Sequence, residues 1–188
     1  MSRIVTSSLP LAGLASLVAL VLPAFAGAYA AGGTTAPSRG QIDALARAAG
    51  ARATEFPVAG KSDFGTGENR FGGGRGHEGQ DLLARCGTPV VAAKAGKVTV
   101  ARWHDAAGNF AVVESEDGRN QVYMHLMRPA RFAAGHRVDA GDRIGVVGQT
   151  GRASTCHLHF ESWTAPGWYE GGAPVDPAPF LRELARDR

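Results

Sequence analysis

"STCHLHFESW", residues 154–163, sets His157 and His159 one residue apart and closes on Phe160, Glu161, Ser162 and Trp163. On a strand, residues i and i+2 point to the same face, whereas on a helix they diverge by about 200°. The aromatic residues, the threonine, and Leu158 and Phe160 alternating with the histidines favour a half-buried strand. Both imidazoles then share one face, in a chain that has only six histidines.

The flanking sequence has the same texture. From Phe56 onward short apolar runs alternate with Gly, Asn, Asp and Pro: "TPVVAAKAGKVTVARW", "GNFAVVESEDGRNQVYMHL" and "HRVDAGDRIGVVGQTG". Such runs predict consecutive strands joined by tight turns. "ESEDGRNQ" predicts a hairpin with Asp117-Gly118 at its turn. The expected fold is therefore mainly β, a single domain of antiparallel sheets over residues 56–188. In "VYMHL", strict alternation sends Tyr123 and His125 to one face and Val122, Met124 and Leu126 to the core.

Ahead of that domain, residues 1–30 carry one Arg, an apolar stretch broken by Pro10 and Pro23, and Ala-x-Ala sites at 24–26 and 28–30. This is the pattern of a secretory signal peptide, the competing reading being an uncleaved anchor. Residues 31–55 read as a small-residue linker and one short N-terminal helix, with Ile42, Leu45, Ala46 and Ala49 at helical spacing before Gly50. The chain is expected to act outside the cytoplasm, with no stable membrane span once the signal is removed.

Twenty Lys and Arg against 17 Asp and Glu give a formal charge of +3. Loss of residues 1–30 removes Arg3 alone, leaving 19 basic against 17 acidic residues, a charge of +2. There is no dense basic patch of the kind nucleic-acid binding leaves, "RPARFAAGHR" reading as a solvated loop. Cys86 and Cys156 are the two cysteines. An even count in an exported chain points to one disulfide, against two unrelated thiols. It would tie the segment after Asp81 to the segment before His157.

The Gly-rich "FGTGENRFGGGRGHEG", residues 64–79, lacks the Gly-Lys-Ser/Thr and the strand–loop–helix setting of a phosphate loop and reads as a mobile loop bordering a groove. It leads into "RGHEGQDLL", where His77 and Asp81 stand four apart, a spacing that puts both on one face of either a helix or a strand. Zinc accepts imidazole nitrogen and carboxylate oxygen, and a catalytic zinc keeps three protein ligands. His77, Asp81 and one of His157 or His159 make such a set. A His-x-x-x-Asp pair alone arises often by chance; its presence together with His-x-His on a predicted strand carries the metal reading.

In ordered blocks the chain resembles the lysostaphin-type, or LytM-like, zinc endopeptidases of bacterial cell walls. "GHEGQDLLARCGTPVVAAKAGKV" resembles that family's first ligand block and following strand, "GNFAVVESEDGRNQVYMHL" its central hairpin, and "VDAGDRIGVVGQTGRASTCHLHFE" its Gly-rich turn and His-Leu-His signature. The resemblance implies the lysostaphin-type β fold (duplicated hybrid motif), Zn2+ held by His77, Asp81 and His159, and His125 and His157 as further active-site histidines. It also implies a peptidoglycan substrate, hydrolysed at a peptide bond, and a chain acting as a monomer. The paired cysteines resemble those of a subset of exported members. One departure is Thr155, where the family usually has Gly; a positive φ there would strain a β-branched residue.

Plainer readings stand beside these. His104 and His136 match no motif and are read as surface or loop residues. Glu161 is either a partner fixing a ligand tautomer or an ordinary core-edge acid. Trp168 and Tyr169 are read as packing on the domain edge. The rival functions are an inactive relative that binds and activates a cell-wall amidase, which should have lost ligands, and a cupin-like metal enzyme, which would leave His77 and Asp81 unexplained.

Overall fold

The computed structural model describes residues 53–74 and 76–188. The predicted signal peptide and the N-terminal helix at 42–49 lie outside the described residues. Within these residues the chain runs through β1 (Ser62–Phe64), β2 (Gln80–Ala84), β3 (Pro89–Val91), β4 (Gly96–His104), β5 (Gly108–Ser115), β6 (Asn120–Leu126), β7 (Arg137–Val138), β8 (Arg143–Val146), β9 (His157–Trp163) and β10 (Pro174–Val175), and ends in α1 (Ala178–Arg186). No helix among the described residues is long and apolar enough to cross a membrane.

The main sheet is antiparallel, in the order β1-β2-β9-β6-β5-β4-β7, with β10 on the end of β9; β3 and β8 pair as a separate ribbon. The hairpin predicted at Asp117-Gly118 joins β5 to β6. Gly118 takes φ +73, and the Ser115 hydroxyl donates to Asp117 Oδ1 at 2.7 Å, which fixes the turn. Short strands and tight turns follow the apolar runs as the sequence predicts.

Period-2 alternation decides where the core lies. On β9, Leu158 and Phe160 turn to one face and join Tyr123, Leu82, Val98 and Val113 beneath the β3–β8 ribbon and α1. His157, His159, Glu161 and Trp163 turn to the other. There Trp163 packs with Phe110, Val112, Val122 and Met124 in a second, smaller cluster. The Tyr123 hydroxyl, fully buried, accepts the Ala93 N–H at 2.8 Å, so the polar end of that ring is satisfied inside the core. Each of the larger side chains so buried stabilises the fold by about 1.5–3 kcal/mol.

The helix α1 is absent from the sequence-based expectation. Pro177 precedes it, Asp176 Oδ1 accepts the Ala178 N–H at 2.9 Å, and Ala178, Leu181 and Leu184 are its buried residues, spaced i, i+3, i+6.

Cys86 and Cys156 form a disulfide, with Cα atoms 5.2 Å apart across a separation of 70 residues. It joins the end of β2 to the start of β9, the two hydrogen-bonded strands that carry Asp81 and the histidine pair. Closing a loop of this length stabilises by about 4 kcal/mol in the chain-entropy model. A Cys86→Ala/Cys156→Ala variant is therefore expected to unfold at a clearly lower denaturant concentration. An unchanged midpoint would show that the bridge braces nothing.

Candidate active site

Asp81 and His159 are direct cross-strand partners, as are Met124 and His159, so one face of β2, β9 and β6 presents these side chains together. His77 comes from the loop before β2, not from a regular element, so its approach to Asp81 does not follow from the spacing alone. The loop is held instead by hydrogen bonds: the buried Gln80 side chain donates to Gly65 O at 3.0 Å and Asn69 O at 3.2 Å, and Gly72 N–H donates to His77 O at 2.8 Å. Gly79 must be glycine for a local reason. A Cβ there would stand 2.7 Å from His159 Nε2 and 2.7 Å from Phe160 O.

Tautomers follow from the partners. His77 Nδ1 donates to Arg70 O at 2.9 Å, which leaves Nε2 with a lone pair. His159 Nε2 donates to Glu161 Oε1 at 2.9 Å, which leaves Nδ1 with a lone pair. These two nitrogens are 2.9 Å apart and lie 3.2 and 2.9 Å from Asp81 Oδ1. Three electron pairs thus converge on one point, and only a proton or a metal cation placed among them makes that arrangement favourable. A proton bridges one pair; a cation satisfies all three. The separations are close to the ~3.3 Å edge of a tetrahedron with metal–ligand bonds of about 2.0–2.1 Å. Together His77, Asp81 and His159 therefore form a set that could hold a metal ion.

Without a cation the groups shift to share protons. Burial pushes the Asp81 carboxyl upward, but hydrogen bonds with His159 and His77 outweigh it and hold the group well below the usual carboxylate range. Burial disfavours charge on His159, yet its bonds to Asp81 and Glu161 lift it to about 9.

Glu161 is the tautomer-fixing partner rather than a plain core-edge acid. It is 4 % exposed, and beyond His159 its Oε2 accepts Trp163 Nε1–H at 2.8 Å and Trp168 Nε1–H at 3.0 Å. Three N–H groups thus saturate a buried carboxylate, which in turn aims the His159 ring. Trp163 sits two residues along β9 on the same face, a relation the sequence carries. Trp168 arrives from the β9–β10 loop.

His125 and His157 converge on the same point without joining the three lone pairs. His157 Nδ1 donates to Thr155 O at 2.9 Å, and its Nε2 stands 3.7 Å from Asp81 Oδ1. His125 Nδ1 donates to Thr150 O at 2.8 Å, and its ring centroid lies 4.8 Å from that of His157. Each therefore turns its Nε2 toward the site. Burial, reinforced by the charges of His157 and His159, lowers His125 to about 4, so it is neutral at neutral pH.

The alternation expected along "VYMHL" is wrong. Tyr123 and Leu126 lie in the main core, while Val122 and Met124 lie in the second cluster. Strict alternation would therefore bury His125 beside Tyr123. Instead His125 adopts φ +61, and the β5–β6 register slips by one residue between Asn109/Leu126 and Ala111/Tyr123. This β-bulge turns His125 onto the face of Met124 and His159. Thr155, in contrast, is not among the residues with positive φ, so its β-branched side chain meets no such strain.

A groove of about 680 Å³ opens over the site. Trp168 and Tyr169 line it, which corrects their reading as edge residues. Trp168 stacks against Phe110 at 5.2 Å, and the Tyr169 hydroxyl donates to Glu78 Oε2 at 2.8 Å. His104 is exposed as expected but also faces the groove, whereas His136 stacks on Phe132 at 4.4 Å elsewhere. The Gly-rich loop borders the groove, as expected, through Glu68, Asn69 and Gly74, and its Gly65 and Asn69 carbonyls accept the Gln80 amide.

A family model described as peptidase family M23 matches residues 75–177, more than half of the chain. The chain belongs to peptidase family M23. Among its M23 relatives, glycyl-glycine endopeptidase ALE-1 of Staphylococcus capitis is 36% identical over 125 residues, 65% of this chain and 34% of that protein. Peptidoglycan DD-endopeptidase ShyA of Vibrio cholerae is 38% identical over 85 residues, 45% of this chain and 20% of that protein. The matched part of the chain thus spans between a fifth and about a third of the length of these relatives. The crystallised catalytic domain of lysostaphin from Staphylococcus simulans superposes with a TM-score of 0.57 at 34% identity, over 64% of this chain and 92% of that domain. A zinc-containing peptidase from Vibrio cholerae gives 0.56 at 32% identity, over 67% of this chain and 39% of that one. The lysostaphin-type fold implied by the sequence blocks is the fold of this M23 domain.

Proposed function

We propose that the protein is a zinc-dependent endopeptidase that hydrolyses peptide bonds in peptidoglycan cross-links or bridges, acting as an exported monomer. The observation that carries this reading is the convergence of His77 Nε2, Asp81 Oδ1 and His159 Nδ1 beneath an open groove, with two further imidazoles beside them. The relatives named for peptidoglycan and glycyl-glycine cleavage support the same class. The donor set fits zinc, which when bound polarises a carbonyl and lowers the pKa of water toward about 7.

The chain's own residues supply the rest. His125 and His157, each with Nδ1–H tied to a backbone carbonyl, present Nε2 to take the proton of the attacking water and to hand it to the departing amine nitrogen as the C–N bond breaks. Glu161, held by two tryptophans, keeps His159 in the tautomer that offers Nδ1. The groove seats an extended peptide across the strands, with Trp168 as part of its wall.

Metal analysis joined to clearing of purified peptidoglycan suspensions tests the reading. One zinc per chain, loss of clearing with a chelator and recovery on adding zinc are expected. A fully metallated protein that clears no peptidoglycan yet stimulates an amidase would instead be the binding relative. A second variant probes the support beneath the site. Glu161→Gln is expected to weaken zinc by about 10–100-fold in chelator competition, since it degrades the acceptor that orients His159. Unchanged affinity would make Glu161 a packing residue only.

A further inference from the structure

The groove is electrically lopsided. On one side stand Glu68 and Asn69 of the Gly-rich loop; on the other, Arg102 and His104 of β4 and Arg152 of the segment between β8 and β9. Arg102 rests over the Phe110 ring, 5.9 Å from guanidinium carbon to centroid, and Phe110 itself packs on Trp168. Arg152 is placed by its backbone, whose N–H donates to Ala106 O at 2.9 Å. Neither guanidinium has an ion-pair partner among the described residues. The nearby Asp105 carboxylate accepts Trp103 Nε1–H at 3.2 Å and does not line the groove. Two exposed arginines with no ion-pair partner among the described residues thus line the groove on the side away from the Gly-rich loop.

We infer that Arg102 and Arg152 recognise a free carboxylate on the substrate, so that the preferred peptide is an acidic stem-peptide cross-link rather than a neutral oligoglycine bridge. This deepens the peptidase reading and rests on it. Guanidinium groups bind carboxylates with paired, charge-assisted hydrogen bonds, and an oligoglycine bridge offers no carboxylate along its length. The sheet order sets the distance. From β9 to β4 is three strand spacings, about 14 Å, which Arg102 shortens by leaning back over Phe110 on β5. The carboxylate then falls roughly 10 Å from the ligand set, two to three residues of extended chain from the cleaved bond.

The test uses the zinc-loaded protein and two soluble cross-linked stem peptides that differ only in a free or an amidated carboxylate at that position, with an oligoglycine peptide as third substrate. The free acid is expected to be favoured by tenfold to a hundredfold on the order of one charge-assisted pair, mainly through KM. In Arg102→Gln/Arg152→Gln the ratio of acid to amide should fall toward one, and Arg102→Lys/Arg152→Lys should restore part of it. Equal rates on acid and amide, a ratio unchanged in the double variant, or cleavage of oligoglycine alone would overturn the inference while leaving the peptidase reading intact. Failure to cleave any substrate, peptidoglycan included, would be failure of the peptidase reading. The inference would then be judged by the affinity of the same acid and amide for the zinc-loaded protein, equal affinities overturning it.

Discussion

His159→Ala is expected to leave the protein without stoichiometric zinc and to lower peptidoglycan hydrolysis by about a thousandfold or more, the scale of several kcal/mol of Lewis-acid stabilisation. His157→Ala, two residues away on the same face, is expected to keep its zinc. The contrast follows from distances. His159 Nδ1 stands 2.9 Å from both Asp81 Oδ1 and His77 Nε2, whereas His157 Nε2 is 3.7 Å from Asp81 Oδ1. It follows also from support. Glu161 orients the His159 ring through Nε2, while His157 spends its Nδ1–H on the Thr155 carbonyl and stays free at Nε2. Metal content of the two purified variants decides the matter. Zinc kept by His159→Ala and lost by His157→Ala would reverse the assignment, and loss from both would make His157 a fourth ligand and close the site to water.

The histidine pair was legible because a strand has a period of two and the sequence writes that period plainly. Leu158 and Phe160 needed a core, so His157, His159 and, by extension, Glu161 and Trp163 had to share the other face. Asp81 could be grouped with them by ligand chemistry, and with His159 in particular only by resemblance. Its register opposite His159 is a tertiary fact, fixed by how β2 and β9 pair. His77 was harder still, because its position depends on a loop pinned by the Gln80 amide, and a glutamine in a strand announces no such role.

Three misreadings have different causes. The helix α1 was readable: Pro177 followed by Phe180, Leu181 and Leu184 is a start signal with helical spacing. The place of Trp168 and Tyr169 was not. Trp168 reaches the site because a half-buried indole N–H needs an acceptor, and the acceptor, Glu161, is brought near only by folding. The face of His125 was not readable at all. Positive φ usually betrays itself through glycine, and here a histidine adopts it.

That bulge gives the most exposed expectation. His125→Ala should fold and retain zinc, yet hydrolyse peptidoglycan at least about a hundredfold more slowly, the usual contribution of a general acid or base. The ring is no member of the set that could hold a metal, its Nδ1–H is spent on Thr150 O, and burial keeps it neutral, so its removal is expected to leave that set intact. The backbone argument adds a second arm. Because φ +61 costs an L-residue something whether or not its side chain is used, His125→Gly should be more stable than His125→Ala, which loses the same ring and the same bond to Thr150 O, while losing as much activity. Zinc loss in either variant would make His125 a ligand. Full activity with zinc retained would mean that the strained backbone turns this imidazole toward the site for packing alone, and that His157 carries both proton transfers.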